Sequence, residues 1–100
     1  MTTKARKDEA DWLGAFADPT RIAIIRFLAT GEKFVTELAT MAKTEVVNVS
    51  HHLGVMRAAG VVKCERDGRM MRYTLLNAKG TANEVELTHP SGVRVVIPLN

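Results

Sequence analysis

Only one cysteine, Cys64, occurs in the 100-residue chain. An internal disulfide and every cysteine-rich zinc motif are therefore excluded. No run of about eighteen apolar residues exists, so no membrane-spanning helix is expected. The charged start "MTTKARKDEADW" lacks the following apolar stretch of a secretory signal, and a cytoplasmic protein is expected. There is no glycine-rich phosphate loop, no pair of catalytic carboxylates and no Cys/His dyad at usable spacing. Those absences argue against an enzyme and against a bound cofactor. Internal repeats and low-complexity segments are missing too.

What remains is a chain of one-domain length with an ordinary apolar fraction of 46%. A core of this size is modest, and a dimer interface would add to its stability. The net charge is only +3, but its placement is informative. Within residues 43–79, Lys43, Arg57, Lys63, Arg66, Arg69, Arg72 and Lys79 face only Glu45, Glu65 and Asp67. All of the excess positive charge lies there, as in a polyanion footprint; a solvated charged face is the plainer alternative.

Residues 1–8 are polar and expected to be flexible. In "EADWLGAFA", Trp12, Leu13, Phe16 and Ala17 recur at helical spacing and predict a short amphipathic helix. Asp18 is a good N-cap, and Pro19 fits the first helical position because its missing N–H is not needed there. The next helix, 20–30, is apolar nearly all round, as a central helix should be, and Gly31 ends it. A third, 35–42, buries Leu38 and Met41 or Ala42. In the fourth, Val49, Leu53, Met56 and Gly60 form the inner face, with Val46, Val47 and Ser50 at the exposed first turn.

The period then changes to two. "VVKCERDGRMMRYTLL" (61–76) reads as two strands about an "RDG" turn, with Val62, Cys64, Met71, Tyr73 and Leu75 on one face and Lys63, Arg72 and Thr74 on the other. Residues 77–83 read as a loop. Residues 84–100 read as a second hairpin turning at "HPSG", with Pro90 and Gly92 at the second and fourth turn positions.

Three helices, an exposed amphipathic fourth and a basic-tipped hairpin make the layout of a winged helix-turn-helix. The fold class is thus α+β, mainly α, with an extra C-terminal β-hairpin. One domain covers residues 1–100: a flexible 1–8, a winged-helix core over 9–76, and a loop and hairpin over 77–100. The end of such a recognition helix enters the major groove, while arginines on the hairpin reach neighbouring phosphates.

The stretch from Trp12 to Leu76 resembles the ArsR/SmtB family of bacterial winged-helix repressors. The words that carry the resemblance are "DPTR", "TELA", "VSHHLGVMRAAGVV" and "RDGRMMRYTL". It implies a homodimer that binds a palindromic operator and represses transcription until a signal releases it. The sequence departs from that pattern in several places. Val46 and Val47 replace polar residues at the start of the recognition helix, Lys43 replaces a glycine, and Gly54 stands where lysine is common. A β-hairpin pattern occupies the place of the family's dimerising last helix. Where that family coordinates metal through a "CVCEL"-like motif, this chain has "FVTEL", with Phe34 and Thr36 at the thiolate positions. Soft-metal sensing there is excluded. His89 has no partner nearby in sequence, and no metal site is expected.

Adjacent histidines on a helix do not share a face, so His51 and His52 cannot chelate one ion. His52 borders the inner face and reads as structural; His51 turns outward with Asn48. The resulting DNA-binding set is Val46, Val47, Asn48, Ser50, His51, Arg57, Lys63, Arg69 and Arg72. Asn48 and Ser50 can read base edges, and the two valines can touch thymine methyls. Arg57 also suits a helix C-terminus without any DNA. Trp12, Leu13 and Phe16 offer more apolar surface than a two-turn helix can hide, and are expected to form the dimer interface. Cys64 reads as a small buried hydrophobe, with a redox switch as the alternative. Gly54 either admits another backbone or is slack. The expected partners are double-stranded DNA and a second copy of the chain, with no membrane; the sequence names no small-molecule inducer. A second reading is a protein-binding adaptor that uses the C-terminal hairpin edge for strand addition.

Overall fold

The computed structural model describes residues 2–100. Four helices come first: α1 (Thr3–Gly14), α2 (Pro19–Leu28), α3 (Val35–Ala42) and α4 (Val46–Ala58). A two-residue strand, β1 (Lys33–Phe34), precedes α3. After α4 come β2 (Val62–Asp67), β3 (Met70–Leu75), β4 (Ala78–Gly80), β5 (Glu84–Thr88) and β6 (Arg94–Pro98).

Helix α1 begins earlier than its composition suggests, and the flexible segment expected over 1–8 is helical from Thr3. The Thr2 hydroxyl accepts a bond from the Ala5 N–H at 3.1 Å, and Lys7 pairs with Asp11 at 2.8 Å one turn on. Ala5, Glu9, Trp12 and Phe16 form one inward stripe. Ala5 thus extends the pattern upstream, a signal hidden by the charges around it.

Asp18 caps α2 by accepting from the N–H groups of Thr20 and Arg21 at 3.1 and 3.3 Å, and Ile24, Ile25 and Leu28 are buried. In α3 the buried pair is Leu38 and Ala39; of the two alternatives for the next inward position, Ala42 is half-buried and Met41 is 38% exposed. The turn from α3 into α4 passes through Lys43 at φ 54°, ψ 46°. That left-handed conformation suits glycine and costs other residues about 1 kcal/mol or more. Val49, Leu53 and Met56 of α4 are fully buried, as their spacing predicts.

Strands β1, β3 and β2 form an antiparallel sheet in that order. Asp67 pairs with Met70 across a two-residue turn. Gly68 takes φ 63° at its first position, as a type II′ turn requires. A second antiparallel sheet has the order β4-β5-β6. Strand β4 lies in the stretch read as loop: Asn77 at φ 52° turns the chain so that 78–80 pairs with 85–87. At the other end the Gly92 N–H bonds to the His89 carbonyl, closing the expected "HPSG" turn.

The second sheet folds onto its own subunit. Val85, Leu87 and Ile97 join one core with Trp12, Ile24, Ile25, Leu38, Leu53 and Met56. The His89 ring meets Trp12 edge-on at 5.4 Å, and Arg26 Nε donates to the Pro98 carbonyl at 2.8 Å. This packing corrects the role expected for α1. Trp12 is 2% exposed and Phe16 9%, their rings 4.8 Å apart within the subunit. The C-terminal sheet, together with α2 and α4, hides what a short helix alone would leave bare. Only Leu13 of the expected interface points outward.

Candidate nucleic-acid interface

The exposed side of α4 runs through Val46, Val47, Ser50, His51, Gly54 and Val55. Among the described residues Val47 is the most exposed large apolar side chain, at 79%. Such a valine beside a polar turn is costly in water and useful against a thymine methyl. Asn48 is half-buried, its amide donating to the Thr44 hydroxyl at 3.0 Å. Its carbonyl oxygen keeps its capacity to accept. Nothing lies within 4 Å of a Cβ built at Gly54, so no backbone in this subunit requires that glycine.

His52 faces the opposite way. Arg21 donates to its Nδ1 at 3.2 Å and to the Ala15 carbonyl at 2.9 Å, so one guanidinium ties the end of α1 to the recognition helix. Arginine can only donate, so this contact is a hydrogen bond in the tautomer whose Nδ1 accepts; Asp18 Oδ2 lies 3.8 Å from the same nitrogen. The His51 ring meets His52 edge-on at 5.6 Å and stays exposed.

The wing sorts its arginines. Arg69, at the tip, is exposed and has no carboxylate within 4 Å among the described residues; the same holds for Arg66. Arg69 lines an open cleft of about 280 Å³ with Thr36, Ser50, Met70 and Tyr73, which brings the wing tip and the recognition helix to one surface. Arg72 does not join them. Its guanidinium lies 3.2 Å from Glu32, 3.7 Å from Glu65 and 3.8 Å from Asp67. The antiparallel register sets it opposite Glu65, and β1 delivers Glu32 beside it. Three carboxylates already compensate this cation, so a phosphate has to compete with them for it. Lys63 is likewise paired with Glu65 at 3.3 Å.

Arg57 falls at the other end of α4, about 16 Å along the helix from Val46 by its rise per residue. There it lines a second cleft with Asp8, Asp11, Trp12 and His89. It is therefore separated from the recognition turn. Arg66, outside the set expected from the sequence, is exposed as well, and the strand register pairs it with Met71.

Cys64 stands opposite Tyr73 and is half-buried. Burial pushes the Tyr73 phenol above its ordinary pKa. A hydrogen bond with Cys64 and the charge of its thiolate act in the same direction, and Arg57 opposes them. No three His, Cys, Asp or Glu side chains lie together as metal ligands would among the described residues. No helix among them is long and apolar enough to cross a membrane.

A helical core presenting one exposed helix end beside a basic hairpin tip is a winged helix-turn-helix, a DNA-binding class. The family model for bacterial regulatory proteins of the arsR family matches residues 18–63. An uncharacterised helix-turn-helix transcriptional regulator of Methanocaldococcus jannaschii is 33% identical over 69 residues, which cover 68% of this chain and 78% of that protein. A transcriptional repressor SmtB homologue of Synechocystis is 35% identical over 75 residues, 75% of this chain and 57% of the relative. The chain thus spans little more than half of some relatives it matches. Among solved structures, HlyU of Vibrio cholerae superposes with a TM-score of 0.67 at 27% identity, over 74% of this chain and 80% of that one. The chain belongs to the ArsR family of bacterial regulatory proteins, and its winged helix-turn-helix is that of a DNA-binding transcriptional regulator.

Proposed function

We propose that the protein is a homodimeric repressor that binds a palindromic operator through the first half of α4 and the wing tip. The observation that carries this reading is the common surface shared by Ser50 of α4 and Arg69 of the wing. Val46, Val47, Asn48, Ser50 and His51 meet base edges, and Arg69 with Arg66 meets flanking phosphates. Two copies related by a two-fold axis place their recognition helices about 34–36 Å apart, one turn of duplex. The releasing signal is not a thiolate-bound metal; the support is the lone cysteine and the Phe34 and Thr36 side chains at the family's thiolate positions.

The test is selection of bound duplexes from random fragments, followed by affinity measurements across a salt series. A palindrome is expected, with affinity falling linearly on a logarithmic salt scale. His51→Ala is expected to cost about 1–3 kcal/mol at the operator and to relax specificity. Salt-insensitive binding, or unchanged specificity in a Ser50→Ala/His51→Ala variant, refutes the assignment of this face.

A further inference from the structure

We infer that the free edge of β6 is a docking edge for a second copy of this chain, joining two C-terminal sheets into one. This rests on the homodimer proposed above and says where its contact lies. Three observations lead to it.

The first is directional. The His89 N–H bonds to the Val93 carbonyl, and the Leu99 N–H to the Asn83 carbonyl. Those bonds set the parity of the β5–β6 ladder: odd-numbered residues of β6 turn their backbone groups toward β5, and even-numbered ones turn theirs away. Glu86↔Val96 and Thr88↔Arg94 are accordingly the wide pairs. Because β6 is the last strand of its sheet, the N–H and C=O groups of Arg94 and Val96 point to an unpaired edge. Pro98 shares their parity, has no N–H, and gives its carbonyl to Arg26. The usable edge is therefore confined to Arg94 and Val96.

The second observation is self-complementarity. An antiparallel copy in which Arg94 faces the partner's Val96, with Val95 at the two-fold axis, satisfies every free group on both strands. Sliding the register by one pair in either direction sets Pro98 or Gly92 opposite a required donor and loses bonds. The charges agree with this register. Arg94 reaches Glu86 of its own subunit at 3.7 Å, so the two arginines come together already compensated. Val96, 51% exposed on the outer face, gains cover.

The third is competition with other surfaces. The edge of β2 is studded with Lys63, Glu65, Arg66 and Asp67, charges of the kind that blunt an edge. Strand β6 carries Val95, Val96 and Ile97 in succession. Helix α1, the other place to seek a contact, has its aromatic face committed to its own core.

The experiment is sedimentation equilibrium of the full chain and of Val96→Pro, with amide exchange read at two protein concentrations. Proline is tolerated on an edge strand where the N–H faces outward, so this variant keeps the β5–β6 ladder. The wild type is expected at dimer mass, with the Arg94 and Val96 amides protected only at the higher concentration. Val96→Pro is expected at monomer mass with an unchanged circular dichroism spectrum. If Val96→Pro is misfolded, Val96→Lys is weighed in its place, and it too is expected to be monomeric. A wild-type dimer whose Arg94 and Val96 amides stay open, or a dimer that survives a folded edge variant, overturns the β6 contact while leaving the homodimer reading intact. A monomeric wild type on operator-length duplex overturns both.

Discussion

Replacing Arg69 and Arg72 singly by alanine separates two cations that look alike in sequence. Arg69 has no carboxylate within 4 Å among the described residues and lies at the surface shared with Ser50. If it neutralises one phosphate, its loss lowers the salt slope by about one. One such contact contributes a slope near 0.9, so a fourfold rise in salt costs about 3.5-fold in affinity, and Arg69→Ala is spared that factor. Arg72 lies within 3.8 Å of three carboxylates, and its side chain is 31% exposed. Each exposed pair is worth about 0–1 kcal/mol after screening, so Arg72→Ala is expected to cost roughly 1 kcal/mol of stability. The residual cluster of Glu32, Glu65 and Asp67 then repels itself beside the DNA. In a domain of this size, 1 kcal/mol lowers the melting temperature by about 4–8 °C. The assays are fluorescence anisotropy on one duplex at four salt concentrations and a thermal melt. Arg72→Ala should weaken binding without losing a unit of slope. An Arg72→Ala protein with normal melting and a slope reduced by one would refute the reasoning.

Trp12→Ala is expected to cost about 3–5 kcal/mol in urea denaturation, since the ring is buried in its own subunit rather than held for a partner. Gly54→Ala is expected to stabilise the protein by about 1 kcal/mol, because the new methyl meets nothing within 4 Å. Lys43→Gly should add a similar amount by relieving the left-handed corner before α4; an equilibrium denaturation midpoint below wild type would contradict this. Tyr73 has a raised folded-state pKa, so its contribution to stability is complete below about pH 10. It is lost as pH climbs through the folded value. Ultraviolet titration should show phenolate forming above the ordinary range, and earlier in Cys64→Ala.

Much of the architecture was legible because local rules and burial agree. Asp18 and Pro19 announce α2, the spacing of Val49, Leu53 and Met56 marks the inner face of α4, and alternation marks the wing. The errors have specific causes. Ala5 carries the inward stripe of α1 among charged neighbours, so periodicity judged by polarity starts too late. Strands β1 and β4 are too short for alternation to register, and they exist because β3 and β5 offer them partners. Arg69 and Arg72 differ by three positions, which says nothing about the carboxylates that β1 and β2 bring around the second.

The helix boundaries at Asp18 and Gly60, the two hairpin turns, the inner face of α4 and the resemblance to a DNA-binding family each depend on residues close in the chain, and so could be read along it. Tertiary structure alone decided which cations are free, that Trp12 and Phe16 are core residues, and that the C-terminal sheet folds back with β6 at its edge. Those facts depend on contacts between segments tens of residues apart, such as Arg26 with Pro98 and Arg72 with Glu32. Charge compensation and burial are properties of neighbours in space, and no pattern along the chain specifies which neighbours those are.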